Sequence, residues 1–169
     1  MELAQVDKKV REARFFLSKM GEQENRAFGD KEPFDFYLSA FLSASRTVDY
    51  RLRHQQGVLY PPWRATWDAK LTPDETTLIT YLVDDRNFEV HESGTQRAER
   101  PSEIPIGNMY SDDTGTMYVA SPPGTPPAIL YKPAYFFTID ATDKKATEAC
   151  AEYLRLLDNM VAQFKADNP

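Results

Sequence analysis

Cysteine is almost missing from this chain. Cys150 is the only one, so neither an internal disulfide nor a cysteine-based zinc cluster can form. Histidine is nearly as scarce, with His54 and His91 alone. No apolar run approaches the length of a membrane span. The opening stretch MELAQVDKKVREARFF is charged and amphipathic and carries no apolar core of a secretion signal. Neither a nucleophile elbow nor a glycine-rich phosphate loop occurs, which removes the usual sequence support for a serine hydrolase or a P-loop enzyme. Basic residues are outnumbered: 20 Lys and Arg stand against 26 Asp and Glu, for a net charge of −6 and a pI near 5.0. That balance argues against strong nonspecific binding to nucleic acid or an anionic membrane, and leaves room only for a local basic patch. The expectation is a cytoplasmic protein with no membrane partner.

What the chain does have is apolar periodicity. At 169 residues it is read as one domain with a full core. Leu3, Val6, Val10, Ala13, Leu17 and Met20 are spaced as one helical stripe, which predicts a helix from about Leu3 to Met20, ended by the GEQENRAFGDKEP segment. Phe34, Leu38, Phe41, Ser45, Val48 and Leu52 mark a second helix from about Phe34 to Gln56, closed by Gly57 and then Pro61 and Pro62. Within it, SAFLSAS (39–45) alternates large and small side chains, so a neighbouring helix can approach closely. The third helix begins at TPDE (72–75), where Thr72 caps, Pro73 occupies the first turn and Glu75 completes a capping box. Gly94 marks its stop. Ala146, Cys150, Tyr153, Leu157, Met160 and Phe164 define a fourth helix from about Asp143 to Lys165.

Residues 99–140 differ in kind. Seven of the twelve prolines fall there. DDTG (112–115), between NMY and TMYVA, is a hairpin signal, and AILYK and YFFTID read as two further short strands. The predicted fold is mainly α: a four-helix bundle with a small β-rich insert before the last helix.

The chemistry centres on RNFEVH (86–91). On a wheel of about 100° per residue, Leu78, Leu82, Ile79, Val90 and Val83 share one arc of the third helix, and Arg86 falls within it. An arginine there stays charged and needs a partner or a solvated seam. Thr80, Asp84, Asn87 and His91 form a polar stripe beside it, with Asn87 and His91 one turn apart. Arg86 and His91 do not share a face, but they can meet in one cleft if a second copy of the helix packs across a two-fold axis. Plainer readings stand beside this one. Arg86 can pair with a buried carboxylate, and His91 can answer the helix dipole. Asp85, Glu89 and Glu92 are read as a solvated acidic face rather than as metal ligands with His91. His54, with Arg51 and Arg53, is assigned to the C-terminus of the second helix. Trp63 and Trp67 are assigned to packing rather than to base stacking.

An arginine, a polar residue and a histidine five places after the arginine, on a helix of a four-helix bundle, resembles the HEPN superfamily. FDFYLSAFLSASRTV (34–48) is similar to the second helix of several HEPN-like families. The resemblance covers the helical parts, residues 1–98 and about 143–165, and leaves out the β insert. It implies a homodimer with a composite site of Arg86, Asn87 and His91, and metal-independent cleavage of RNA without a cofactor. Many members are toxins of toxin–antitoxin pairs or antiviral effectors, so a regulatory protein partner is also implied. Other members do not cleave, which leaves a second expectation: a non-catalytic helical protein that binds a protein or a nucleotide. The chemistry suits the residues. Histidine can move the proton of a 2′-hydroxyl near neutral pH, and arginine can hold the phosphate as charge builds up.

Overall fold

A computed structural model describes residues 3–26, 31–91, 98–106, 109–111, 117–119 and 128–169, with only the backbone described between 85 and 133. The protein is mainly helical. Helices α1 (Ala4–Glu24), α2 (Lys31–Gln56), α3 (Tyr60–Asp68), α4 (Pro73–His91) and α5 (Ala146–Asp167) surround one core, and five strands lie between α4 and α5. Four helices are long. Helix α1 packs on α2 and α5, and α4 on α2 and α5, so the four form a ring of neighbours.

The apolar stripes become the core. Val6, Val10, Ala13 and Met20 of α1 are buried against Phe34, Leu38, Phe41, Val48 and Leu52 of α2 and Cys150, Tyr153, Leu157, Met160 and Phe164 of α5. Each fully buried large apolar side chain contributes roughly 1.5–3 kcal/mol by leaving water.

Helix ends differ from the sequence reading. Helix α1 runs past Met20 to Glu24, with Gly21 inside it. Gln23 and Glu24 are buried there, and Glu24 accepts a hydrogen bond from Thr147 Oγ1 at 2.9 Å and pairs with Lys145 at 3.1 Å. These contacts hold a last turn that glycine alone would disfavour. Helix α2 starts at Lys31 rather than Phe34, with Pro33 in the first turn, where its missing N–H is no loss. The expected loop with Pro61 and Pro62 is instead α3, reached through a short 3₁₀ turn (Gly57–Leu59) in which Gly57 takes a positive φ of 48°. Both prolines lie in the first turn of α3, so they start a helix as well as ending the previous one.

The β region is larger than the predicted insert at 99–140. Strands β1 (Ala98–Ile106), β4 (Ala128–Ile139) and β5 (Thr142–Lys145) form an antiparallel sheet in the order β1-β4-β5. Strands β2 (Met109–Ser111) and β3 (Met117–Val119) pair as the expected hairpin, Met109 opposite Val119; the DDTG segment that joins them lies outside the described residues, as does Gly94. AILYK and YFFTI lie on one continuous strand, not two, because Pro133 is accommodated opposite Pro101 of β1, and the expected last residue, Asp140, falls in the turn that follows. Residues 143–145 belong to β5, which delays the last helix to Ala146.

The C-terminal half of β4 fastens the sheet to the helices. Ala134, Tyr135 and Phe137 are buried, Tyr135 stacks on Phe34 at 3.9 Å between ring centres, and Phe137 meets Tyr81 of α4 at 5.4 Å.

Candidate functional site

Helix α4 carries the candidate residues, and its start is tightly specified. The Thr72 backbone N–H donates to Glu75 Oε2 at 3.0 Å, and the Glu75 N–H donates back to Thr72 Oγ1 at 3.2 Å. Arg155 of α5 donates to the same carboxylate through Oε1 at 3.1 Å. These bonds, the Thr72 N–H first and Arg155 next, hold the Glu75 carboxyl below its ordinary value. One carboxylate therefore caps α4 and ties it to α5. Leu78 and Leu82 are then buried, Ile79, Tyr81 and Val83 half-buried, and Thr80 and Asp84 exposed. The helix continues unbroken to His91.

Arg86, Asn87 and His91 all lie on this helix, but their side chains, and those of Asp85, Glu89 and Val90, lie outside the described residues, as does Glu92 altogether. The backbone brings Asn87 and His91 to positions one turn apart, about 6 Å along the axis at 1.5 Å per residue.

A second polar cluster was not legible in the sequence. Asp49 of α2 accepts hydrogen bonds from Tyr60 Oη and Arg64 Nη1 of α3. Arg64 also donates to Tyr60 Oη at 3.0 Å and to Asp68 Oδ1 at 2.8 Å, and its guanidinium lies 5.0 Å from the Trp67 ring centre. Arg46 stands 3.8 Å from the other Asp49 oxygen. Burial and the Asp49 charge push the Tyr60 phenol far above its ordinary value, against the opposing effect of Arg64. Burial first, then Asp49, pushes Tyr153 up to about 12. The carboxylate is engaged by charge-assisted donors and both phenols stay protonated at neutral pH, so this cluster acts as a joint locking α3 onto α2 and α5. No sequence signal paired Asp49 with residues 11 and 15 places further on, because the two lie in separate helices.

The remaining candidates are placed as follows. His54 is exposed in the last turn of α2 beside Arg53, its ring 6.2 Å from that of Tyr50. Trp67 is buried in the core, and Trp63 packs edge-on to Phe164 at 4.7 Å while its Nε1 donates to Asp167 at 2.8 Å. Both tryptophans are therefore engaged in packing α3. Among the described residues no helix is long and apolar enough to cross a membrane, and no cluster of three or more His, Cys, Asp or Glu is arranged to hold a metal ion.

Comparison with known proteins gives no family to assign: no protein-family model, curated protein or solved structure matches the chain.

Proposed function

We propose that the chain is a metal-independent HEPN-type endoribonuclease acting as a dimer, with Arg86, Asn87 and His91 as its catalytic residues. One observation carries the reading. The capping box of Thr72 and Glu75 starts α4, and the helix runs unbroken to His91, so the RNFEVH motif is helical and its Asn87 and His91 are one turn apart. In this mechanism His91 exchanges the proton of the ribose 2′-hydroxyl or of the leaving 5′-oxygen. Arg86 stabilises the phosphorane-like charge with its fork of donors, and Asn87 orients the phosphate or the histidine. The phosphorus–5′-oxygen bond breaks as the 2′-oxygen attacks, which leaves a 2′,3′-cyclic phosphate and a free 5′-hydroxyl.

The net charge of −6 gives no general attraction for a polyanion, so affinity must come from local contacts. The test is cleavage of single-stranded RNA by the purified protein in EDTA, with end-group analysis of the products. Cyclic phosphate ends from RNA, with a matched DNA left intact, support the proposal. Intact RNA favours a non-catalytic helical protein that binds a protein or nucleotide partner.

A further inference from the structure

Of the five large apolar side chains left exposed among the described residues, Phe15, Phe36, Tyr50, Val58 and Leu59, four lie on α2 or in the turn that follows it. Phe36 is 63% and Tyr50 65% exposed. They belong to one stripe. Phe36, Ala40, Ser43, Thr47, Tyr50 and His54 follow one another at steps of 4, 3, 4, 3 and 4, the spacing of a seam between two helices. Ser43 and His54 are exposed, and Ala40 and Thr47 half-buried. This stripe is separate from the buried one, in which Phe34, Leu38, Phe41, Val48 and Leu52 face the core. α2 therefore has an apolar face inward and a second, seam-like face outward.

The two exposed rings of the outward face are equidistant from Ser43. Phe36 lies seven residues before it and Tyr50 seven after it, with Ala40 and Thr47 between them on the stripe and Arg46, held near Asp49, at its flank. Charge is distributed in the opposite sense at the two ends: Glu32 and Asp35 outnumber Lys31 at the start, whereas Arg53 and His54 stand in the last turn. Two copies of α2 packed antiparallel about an axis through Ser43 place the Phe36 ring of each against Tyr50 of the other. Small residues then meet at the crossing, where the backbones come closest. The acidic end of each helix falls beside the basic end of its partner, and the helix dipoles oppose. A parallel pairing would instead set acid on acid and Phe36 on Phe36. The Tyr50 and His54 rings already lie together, so that end of the seam is partly organised before association.

We infer that the outward face of α2 is a homodimer interface, occupied by a second copy of this chain in antiparallel register about Ser43. The inference does not rest on RNA cleavage; it sets the seam on α2, with α4 packed beside it. The test combines sedimentation velocity with cysteine pairing in the full chain. Cys150 is fully buried, so introduced thiols report alone. The expected results are a wild-type dimer, a shift toward monomer by on the order of tenfold or more in Phe36→Glu, a covalent dimer of Ser43→Cys under mild oxidation, and a disulfide between the Phe36→Cys and Tyr50→Cys chains when mixed. Phe36 is exposed, so its variants should melt as cooperatively as wild type; if Phe36→Glu does not, the cysteine pairs decide. A wild-type monomer at high micromolar concentration overturns the inference. So does a dimer indifferent to Phe36→Glu in which Ser43→Cys does not cross-link, or Phe36→Cys pairing with itself and not with Tyr50→Cys.

Discussion

Asp49 is the residue on which the α2–α3–α5 joint depends. It receives Tyr60 and Arg64 at one oxygen and stands near Arg46 at the other. Removing it takes an acceptor from the Tyr60 phenol and from the Arg64 guanidinium, both largely shielded from water, and leaves Arg64 with Asp68. Asp49→Ala is expected to cost about 2 kcal/mol, in the range for unsatisfied buried donors, read as a lowered midpoint in urea denaturation. A variant as stable as wild type would mean the cluster contributes no net stability. The same joint predicts alkaline behaviour. Tyr60 and Tyr153 are both held protonated in the fold above their ordinary value of 10.0. Their contribution is therefore complete below pH 10 and is lost as pH rises, through about 12 for Tyr153 and beyond that for Tyr60. Stability should fall steeply above pH 10, and Tyr60→Phe should flatten that fall while lowering stability at neutral pH. An equal alkaline slope in both proteins would contradict the assignment.

At the scale of elements, the turn between β4 and β5 offers a sharp case. Asp140 and Ala141 form a two-residue hairpin loop, with Ile139 opposite Thr142, and both take positive φ, 48° and 59°. That is the geometry of a type I′ turn, which suits Asp at the first position and Gly at the second. Alanine holds it under strain. Ala141→Gly is expected to raise stability by about 0.5–1 kcal/mol, since relief of the left-handed backbone outweighs the added freedom of the unfolded chain; an unchanged or lower melting temperature would count against it. The same turn shows why the β region was only partly legible. Asp-Ala is a weak turn signal, so the sequence pattern ran YFFTID straight into the last helix. The helices were read well where a stripe and a cap coincided, as at Thr72 and Glu75. They were misread where tertiary contacts decided, as at buried Glu24, which carries α1 beyond Gly21, and at Pro61 and Pro62, where a loop signal begins a helix. Of the candidate site, the sequence supplied the motif and the helix that carries it. It gave no hint of the Asp49 joint, whose members meet only through packing.

At the scale of the whole molecule, a mainly helical body carries a β sheet fastened by Tyr135 and Phe137, with an acidic overall charge and an unbroken α4 ending in RNFEVH. The proposed RNA cleavage is tested more cleanly at His91 than at Arg86, which falls on the apolar arc of the helical wheel, where its replacement risks the fold. The decisive measurement is the rate of single-stranded RNA cleavage in EDTA by wild type and His91→Ala, prepared identically, with thermal unfolding followed alongside. Loss of the proton-transfer group should slow cleavage by about 100-fold or more at unchanged melting temperature. Equal rates in the two proteins would contradict the account, assign the cleavage to a contaminant and leave Arg86 as a structural ion-pair residue.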